Sequence, residues 1–296
     1  MSGTSLPTRT PVAVGDAAVS TRPIWRAPAV LWGAFLLVHV ILSIVVLTGP
    51  HTPLNDVSTV YRNWILEGTQ GFGWVGIDET WVYPTVALVP MLLAAVFGFA
   101  WYSYTWLLLV LLLNAAAFAV LTRGGTRRRP VGWWWLGFLM LLGPISVGRI
   151  DTITVPLALV ALLVVASRPV LAGALLTLAT WIKVWPAALI LAVLIATRRR
   201  ILVLASVVAT SVVVVLVAWL FGGSLAVVFG FVGQQTGRGL QIEAPVSMFW
   251  IWQEVFRVPG VTTSFDSVLL TYQVAGPGTA AASAWMTPIM GLVMAG

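Results

Sequence analysis

Long apolar runs separated by short polar segments constrain this chain more than any other feature. Eight runs contain no Asp, Glu, Lys or Arg. They cover residues 31–47, 104–122, 132–147, 153–167, 170–182, 185–197, 201–221 and a stretch from about 279 to the end. A membrane-spanning helix needs about 20 apolar residues, and shorter runs are typical of helices packed around a water-filled cavity. The sequence therefore predicts an all-α polytopic membrane protein.

The composition excludes several classes of protein. Only 8% of the 296 residues are charged, against about 25% in soluble domains. The chain therefore has too few charged side chains to form the surface of a water-soluble protein. This excludes an ordinary cytosolic enzyme, a nucleic-acid-binding protein and a disordered chain. There is no cysteine, and neither His39 nor His51 has a partner at metal-ligand spacing. Nucleotide-binding and dinucleotide-binding motifs are also absent. We therefore assign no metal-binding residue and predict no cofactor, and the sequence leaves a metal requirement open.

The domain organisation follows from the apolar runs. Residues 1–29 are predicted to form a disordered cytoplasmic tail, and residues 30–296 a transmembrane domain of about eight spans with external loops at 48–103 and 222–278. The first apolar run lacks a small-residue cleavage pattern, so we interpret it as a retained helix. The lipid bilayer is thus a predicted partner, and the plasma membrane the predicted location.

The positions of the basic residues predict the orientation. Residues 83–122 are long enough for two crossings. If only 104–122 crosses, and 83–99 lies at the outer surface or re-enters, 11 of the 16 basic residues are cytoplasmic. If both parts cross, the number falls to 7. Because basic residues accumulate in cytoplasmic loops, we expect a single crossing here and a cytoplasmic N-terminus.

The same orientation places eight of the nine acidic residues outside. One explanation is that long loops simply contain the polar residues, and another is a polar site on the outer face. Lys183, the only lysine, lies between two half-length runs. In a hairpin it would reach the outer face and suit a phosphate, whereas in one long span it would be buried near mid-membrane. A lysine that extends to the interface is a further alternative. Trp250 and Trp252 are interpreted as interfacial anchors.

Five short elements, all on the predicted outer face, carry a family resemblance. They are Asp56 with Tyr61, Tyr83-Pro84, the turn from Gly148 to Asp151, the turn from Lys183 to Pro186, and the segment from Arg238 to Glu243. In this order they resemble the polyprenol-phosphate-sugar-dependent glycosyltransferases of the GT-C superfamily. The chain is most similar to the actinobacterial α-(1→2) mannosyltransferase family, which includes the phosphatidylinositol mannoside mannosyltransferases.

Two features depart from this family. Thr85 follows Tyr83-Pro84 where relatives usually have a second proline, and the chain stops inside an apolar run at Gly296, where relatives generally continue. We therefore expect a GT-C-like bundle with external juxtamembrane helices that is truncated at its C-terminus.

The resemblance implies an inverting mannosyltransferase that uses a polyprenyl-phosphate sugar donor and a glycolipid or glycan acceptor on the extracytoplasmic face. Asp56 is the candidate catalytic base. Lys183, Arg238 and, less directly, Arg149 are candidates for binding the donor phosphate. The candidate sugar-binding or acceptor-binding residues are Tyr61, Asp78, Glu79, Tyr83, Asp151, Gln241 and Glu243. For the acidic residues in this last group, a role in shaping the loops is an equal alternative.

Two other functions remain open from the sequence. An arabinofuranosyltransferase with a polyprenyl-phosphate donor would use similar residues. A non-enzymatic lipid-linked-sugar transporter or flippase would also fit intramembrane charge and short helices. However, no internal repeat is visible, and the polar residues gather on one predicted face, whereas a transport site is expected near the midplane.

Overall fold

The computed structural model describes residues 27–50, 53–125, 128–235, 239–266 and 271–295. Helices predominate in these segments. They are α1 (Pro28–Thr48), α2 (Arg62–Thr69), α3 (Leu88–Ala94), α4 (Tyr102–Thr122), α5 (Arg129–Leu142), α6 (Ile145–Gly148), α7 (Asp151–Val164), α8 (Pro169–Ile182), α9 (Pro186–Ala196), α10 (Arg200–Leu220), α11 (Leu225–Val228), α12 (Gly230–Gln235), α13 (Met248–Val255) and α14 (Thr279–Ala295). Within the described chain, α1, α10 and the helical stretch Phe99–Thr122 are long and apolar enough to cross a membrane. The predicted fold class, an all-α polytopic membrane protein, is confirmed.

Proline fixes where several helices begin. Pro28, Pro130, Pro169 and Pro186 occupy the first turns of α1, α5, α8 and α9. The first turn has backbone N–H groups without helical partners, so a residue that lacks an N–H costs nothing there. These positions set the boundaries of the short helices α8 and α9, which position part of the site described below.

The stretch 83–122 contains one long helix. Thr85–Ala87 and α3 together form a short helical segment that ends before Gly98. Gly98 has a φ of 88°, a backbone conformation that favours glycine, and it separates this segment from the helix at Phe99–Thr122. Ten helical residues reach only about 15 Å, half of the hydrocarbon thickness, so the first segment is too short to cross.

Helices α8 and α9 form a hairpin around Lys183. The backbone of Lys183 is extended, with φ −152° and ψ 136°, and it ends α8. Ala172 and Leu176 of α8 share a buried cluster with Val193 of α9, as expected for two helices that fold back on each other. Residues 170–197 are therefore two short helices of 14 and 11 residues, and no single helix buries Lys183.

A small sheet occupies part of the long segment 222–278, which the sequence predicted as a loop. Strands β1 (Leu240–Gln241), β2 (Thr262–Asp266) and β3 (Thr271–Ala275) are antiparallel in the order β1-β3-β2. Trp250 of α13 is 7% exposed, packs with the sheet, and donates its indole N–H to the Pro277 carbonyl at 2.9 Å. The interpretation of Trp250 as an interfacial anchor is therefore wrong, because its side chain is buried with Leu240, Val261 and Val274 in the core of this small unit. Trp252 is exposed.

Candidate active site

Two ion pairs lie together at one end of the bundle. A guanidinium nitrogen of Arg149 contacts a carboxylate oxygen of Asp56, and Lys183 Nζ lies 2.5 Å from Asp151 Oδ2. Two of these residues, Arg149 and Asp151, share one short turn, so the two pairs are neighbours. The four side chains are between 27% and 44% exposed. We call this end of the bundle the site end.

Three separate segments supply these side chains. Asp56 begins a π-helical turn, Asp56–Tyr61, whose Val57 and Tyr61 are buried and anchor it to the core. Arg149 is extended between α6 and α7. Asp151 is the first residue of α7, where a carboxylate is stabilised by the helix dipole. The turn between α8 and α9 contributes Lys183.

Two tyrosines lie beside the ion pairs. The hydroxyl groups of Tyr61 and Tyr83 hydrogen-bond to each other, and the Tyr61 oxygen accepts the Ile150 N–H at 3.3 Å. Burial raises the pKa of Tyr61 well above its usual value, and the neighbouring Tyr83 and Asp56 raise it further. Burial also raises the pKa of Tyr83. Both phenols are therefore protonated at neutral pH and act as hydrogen-bonding groups.

The two tyrosines differ in what they can contact. Tyr61 is 1% exposed and packs against Trp106, with ring centroids 5.5 Å apart. It holds the turn that carries Ile150 and has almost no surface for a ligand. Tyr83 is partly exposed and feels the charges of Asp56, Asp151 and Arg149. Tyr83 is therefore close enough to both ion pairs to interact with their charges.

The electrostatics of Arg149 connect the second long loop with the site. Burial lowers the pKa of Arg149, but the charge and hydrogen bond of Asp56, together with Tyr61 and Glu243, raise it by more, and the net shift is upward. Glu243 adds to the upward shift, so its carboxylate lies close enough to interact with the guanidinium. The two long loops also pack directly on each other at Thr80 and Gly230. A Cβ at Gly230 would lie 2.8 Å from the Thr80 methyl group.

The other predicted residues have different surroundings. The Asp78 carboxylate accepts the Trp74 N–H at 2.7 Å and so stabilises its own loop. Glu79 is exposed, and its carbonyl accepts the Gly76 N–H at 2.7 Å. Gln241 lies in β1 opposite Gln273. Arg238 lies outside the described residues.

In the described segments, no group of three His, Asp or Glu side chains could hold a metal ion.

Sequence reasoning missed the pairing of each cation with a particular carboxylate, and it missed Trp185. The Trp185 ring is 38% exposed, and its N–H donates to Thr154 Oγ1 at 3.2 Å. This bond fixes an aromatic face two residues after Lys183. The available signal was the segment Trp181-Ile182-Lys183-Val184-Trp185-Pro186, in which a lysine lies between two tryptophans.

Comparison with protein-family models identifies the chain. The model described as Glycosyltransferase family 87 matches residues 81–293. The chain belongs to glycosyltransferase family 87. Neither the curated proteins nor the solved structures contain a match. This member of family 87 is therefore a membrane glycosyltransferase, which acts on a sugar donor and an acceptor in a membrane.

The matched region of the family 87 protein contains most of the site. Tyr83, Arg149, Asp151 and Lys183 lie inside it, whereas Asp56 lies before residue 81. Family membership favours an enzyme over the transporter or flippase alternative.

Proposed function

We propose that this protein transfers mannose from a polyprenyl-phosphate donor to a hydroxyl group of an extracytoplasmic glycolipid or glycan, with inversion at the anomeric carbon. The observation that carries the proposal is the pair of accessible cation–carboxylate contacts at one end of an apolar bundle. Cations suit a donor phosphate, and a carboxylate suits the proton of an acceptor hydroxyl. The choice of mannose and of a polyprenyl carrier follows from the sequence resemblance.

The donor phosphate would bind Lys183 and Arg149, with Arg238 as a third candidate. Ion pairs this exposed contribute only about 0–1 kcal/mol to stability, so a phosphate can replace the carboxylates at little cost. As the bond to the sugar breaks, negative charge grows on the phosphate, and these cations stabilise it. The apolar helix surfaces would bind the polyprenyl tail at about 0.8 kcal/mol for each buried methylene.

Asp56 would act as the general base. Its Oδ2 is held by Arg149, and Oδ1 carries no hydrogen bond from the described residues, which leaves it available to an acceptor hydroxyl. The proton moves to Oδ1 as the acceptor oxygen forms its bond to the anomeric carbon. The bond to the phosphate oxygen breaks, and its electron pair leaves with the polyprenyl phosphate. That leaving group needs no general acid, so one carboxylate suffices, in contrast to the two carboxylates of glycosidases.

The sugar and acceptor would contact the polar groups around the ion pairs. Asp151 contacts Lys183, Tyr83 and Glu243 interact electrostatically with Arg149, and Trp185 offers an aromatic face. Gln241 precedes Glu243 by two residues. Asp78 and Glu79 are assigned to the acceptor side, with Asp78 also shaping its loop. Tyr61 would position these groups through its hydrogen bonds with the Tyr83 hydroxyl and the Ile150 N–H.

The proposed location is the plasma membrane with the site end outside. Seven arginines in the described chain belong to the turns and helix ends at the opposite end of the bundle: Arg123, Arg128, Arg129, Arg168, Arg198, Arg199 and Arg200. Such residues favour the cytoplasmic side, so the site end would face outward.

The test is transfer by purified protein in liposomes, with radiolabelled polyprenyl phosphomannose and a glycolipid acceptor. We expect an elongated glycolipid with an α-linkage. Asp56→Asn should lower kcat by about 10²–10⁴-fold, because a general base is lost, while donor binding persists. Glu67→Gln is the matched control: Glu67 is an exposed carboxylate in α2 near the same end, and its removal should leave kcat unchanged.

The same assay separates the alternatives. Transfer only from a polyprenyl phosphoarabinofuranose would replace mannose by arabinofuranose and leave the assigned residues in place. Label that crosses the bilayer without a new glycosidic bond would indicate transport and contradict the proposal. Full activity of Asp56→Asn would remove Asp56 from its role as base.

A further inference from the structure

A cavity opens at the end of the bundle opposite the site end. It has a volume of about 160 Å³ and lies where the start of α1, the end of α4 and the start of α5 meet. Arg123 and Arg129 line it together with Trp32 and Thr122. This region has no part in the transfer chemistry proposed above.

The cavity lies at the level of a membrane interface. Helix α1 has 21 residues, which corresponds to about 31 Å and matches the hydrocarbon thickness of about 30 Å. Its far end leads to Asp56, so Pro28 and Trp32 lie about one bilayer away from the site. A cavity at this level adjoins lipid headgroups.

The charge around the cavity selects an anion. The cavity lining contains two arginines, Arg123 and Arg129, and no acidic residue among the described residues. Arg123 forms no ion pair with a carboxylate among the described residues, since the ion pairs Arg149–Asp56 and Lys183–Asp151 lie at the site end. A guanidinium group has five N–H donors, so Arg123 and Arg129 can each donate to the oxygens of one phosphate while keeping another contact.

The lining also fits the rest of a phospholipid. Leu31 and Trp32 give the cavity an apolar side, and tryptophan rings are favoured at the headgroup level of membranes. A single water needs about 10–15 Å³ of such space, so 160 Å³ is sufficient for a phosphate group and the start of a glycerol backbone. A lipid phosphate is the anion that a membrane supplies at this position.

We propose that the cavity between α1, α4 and α5 binds the phosphate headgroup of one anionic glycerophospholipid through Arg123 and Arg129. The proposal does not depend on which sugar the enzyme transfers. The proposal requires that one lipid binds in this one cavity. It therefore differs from a general attraction of anionic lipids to a positively charged surface.

Native mass spectrometry of the full chain released from detergent tests this proposal, with phosphatidylglycerol and phosphatidylcholine as probes. We expect one retained phosphatidylglycerol per protein and weaker retention of phosphatidylcholine. Each arginine near a membrane contributes about 1 kcal/mol to binding an anionic lipid, so Arg123→Gln should weaken phosphatidylglycerol binding about fivefold. The double variant with Arg129→Gln should weaken it more.

Two controls decide the outcome. Arg198→Gln removes the same charge from an exposed residue at the same end but outside the cavity, and should leave the retained lipid in place. An equal loss in Arg198→Gln and Arg123→Gln would reduce the effect to surface charge and overturn the proposal. Displacement of phosphatidylglycerol by an equal concentration of inorganic phosphate would also overturn it, since the site would then recognise a free anion. Unchanged melting temperatures of the variants exclude misfolding.

Discussion

At the scale of single residues, the site is a set of charges held in exchangeable pairs. Lys183 contacts Asp151 at 2.5 Å, yet both side chains remain more than a third exposed. A contact of this kind orients the ammonium group without removing it from water. In the proposed function, the carboxylates would keep the cations in position until the donor phosphate replaces them.

Lys183→Met tests the role of that cation. Methionine keeps much of the side-chain length but removes the charge, so the donor phosphate loses one of its partners. We expect a lower kcat/KM for the polyprenyl-phosphate donor, by roughly 10–100-fold for the loss of about 1.5–3 kcal/mol. Steady-state kinetics at varied donor concentration measures this loss. Kinetic parameters equal to those of the parent protein would contradict the assignment of Lys183.

Tyr61→Phe tests the support beneath the site. Without the hydroxyl, the Ile150 N–H loses its partner, and we expect a loss of about 1–3 kcal/mol in the free energy of unfolding at neutral pH. The raised pKa of Tyr61 stabilises the fold below about pH 10. That stability is lost as the pH rises from about 10 through the folded-state pKa, because the unfolded phenol ionises first.

Melting temperatures between pH 8 and pH 11 measure both effects of Tyr61→Phe. The variant should have a lower melting temperature at pH 8 and a smaller further decrease towards pH 11 than the parent protein. Parallel curves of melting temperature against pH for the two proteins would show that the ionisation of Tyr61 is not coupled to folding.

Residue types were readable from the sequence, but their partners were not. Asp56, Lys183 and Arg149 stand out because charges are rare in this chain. The pairing of Asp56 with Arg149 joins residues 93 positions apart, and no periodicity encodes such a contact. The burial of Tyr61 was not predictable for a similar reason. Its residue type suggested contact with a sugar, but the turn Asp56–Tyr61 buries its side chain, and a single sequence does not reveal that turn.

At the scale of elements, close helix packing keeps the turns of the site in register. Helix α8, which ends at Lys183, packs tightly on α10 at Gly173. A Cβ at Gly173 would lie 2.9 Å from the Val203 carbonyl oxygen and 3.0 Å from the Ser206 Cβ. Ser206 donates a hydrogen bond to the Val170 carbonyl at 2.7 Å, which further joins the two helices.

Gly173→Val should therefore separate α8 from α10. Overpacking at such a contact costs about 1–3 kcal/mol, so we expect a lower melting temperature and weaker transfer activity. Gly137→Val is the matched control, since Gly137 lies inside α5 and a Cβ there meets no atom within 4 Å. Thermal unfolding in detergent compares the two variants. Equal melting temperatures would show that the contact at Gly173 is not tight.

Helix positions were predictable because apolar runs and prolines mark them, whereas the small sheet was not. Strand β1 has only two residues, and β2 and β3 have five each. Runs this short give no reliable alternation of polar and apolar residues. The sheet is stabilised instead by Trp250 and by Glu254, which accepts hydrogen bonds from Thr263.

At the scale of the whole molecule, the two ends differ in charge. The described acidic residues belong to segments at the site end, whereas the turns at the other end contain arginines without acidic neighbours in sequence. This separation of charge supports the proposed orientation of the protein in the membrane. The orientation can be measured directly.

Single cysteines at the two ends test the orientation. The natural chain has no cysteine, so each variant carries one reactive thiol. Glu67→Cys, at an exposed position of the site end, should react with a membrane-impermeant maleimide in intact cells. Arg199→Cys, exposed at the opposite end, should react only after permeabilisation. Mass-shift gels record the labelling, and the reverse pattern would place the transfer chemistry in the cytoplasm.

The short helices beside the site have a consequence for how a lipid substrate reaches it. Helices α7 and α8 have 14 residues each, or about 21 Å, which is about 9 Å less than the hydrocarbon core. If the other ends of these helices lie at the opposite surface of the hydrocarbon core, Asp151 and Lys183 at their tips would stand at the depth where acyl chains begin. In the proposed function, an isoprenoid carrier would reach these two residues by lateral diffusion within its own leaflet, without lifting its phosphate towards bulk solvent.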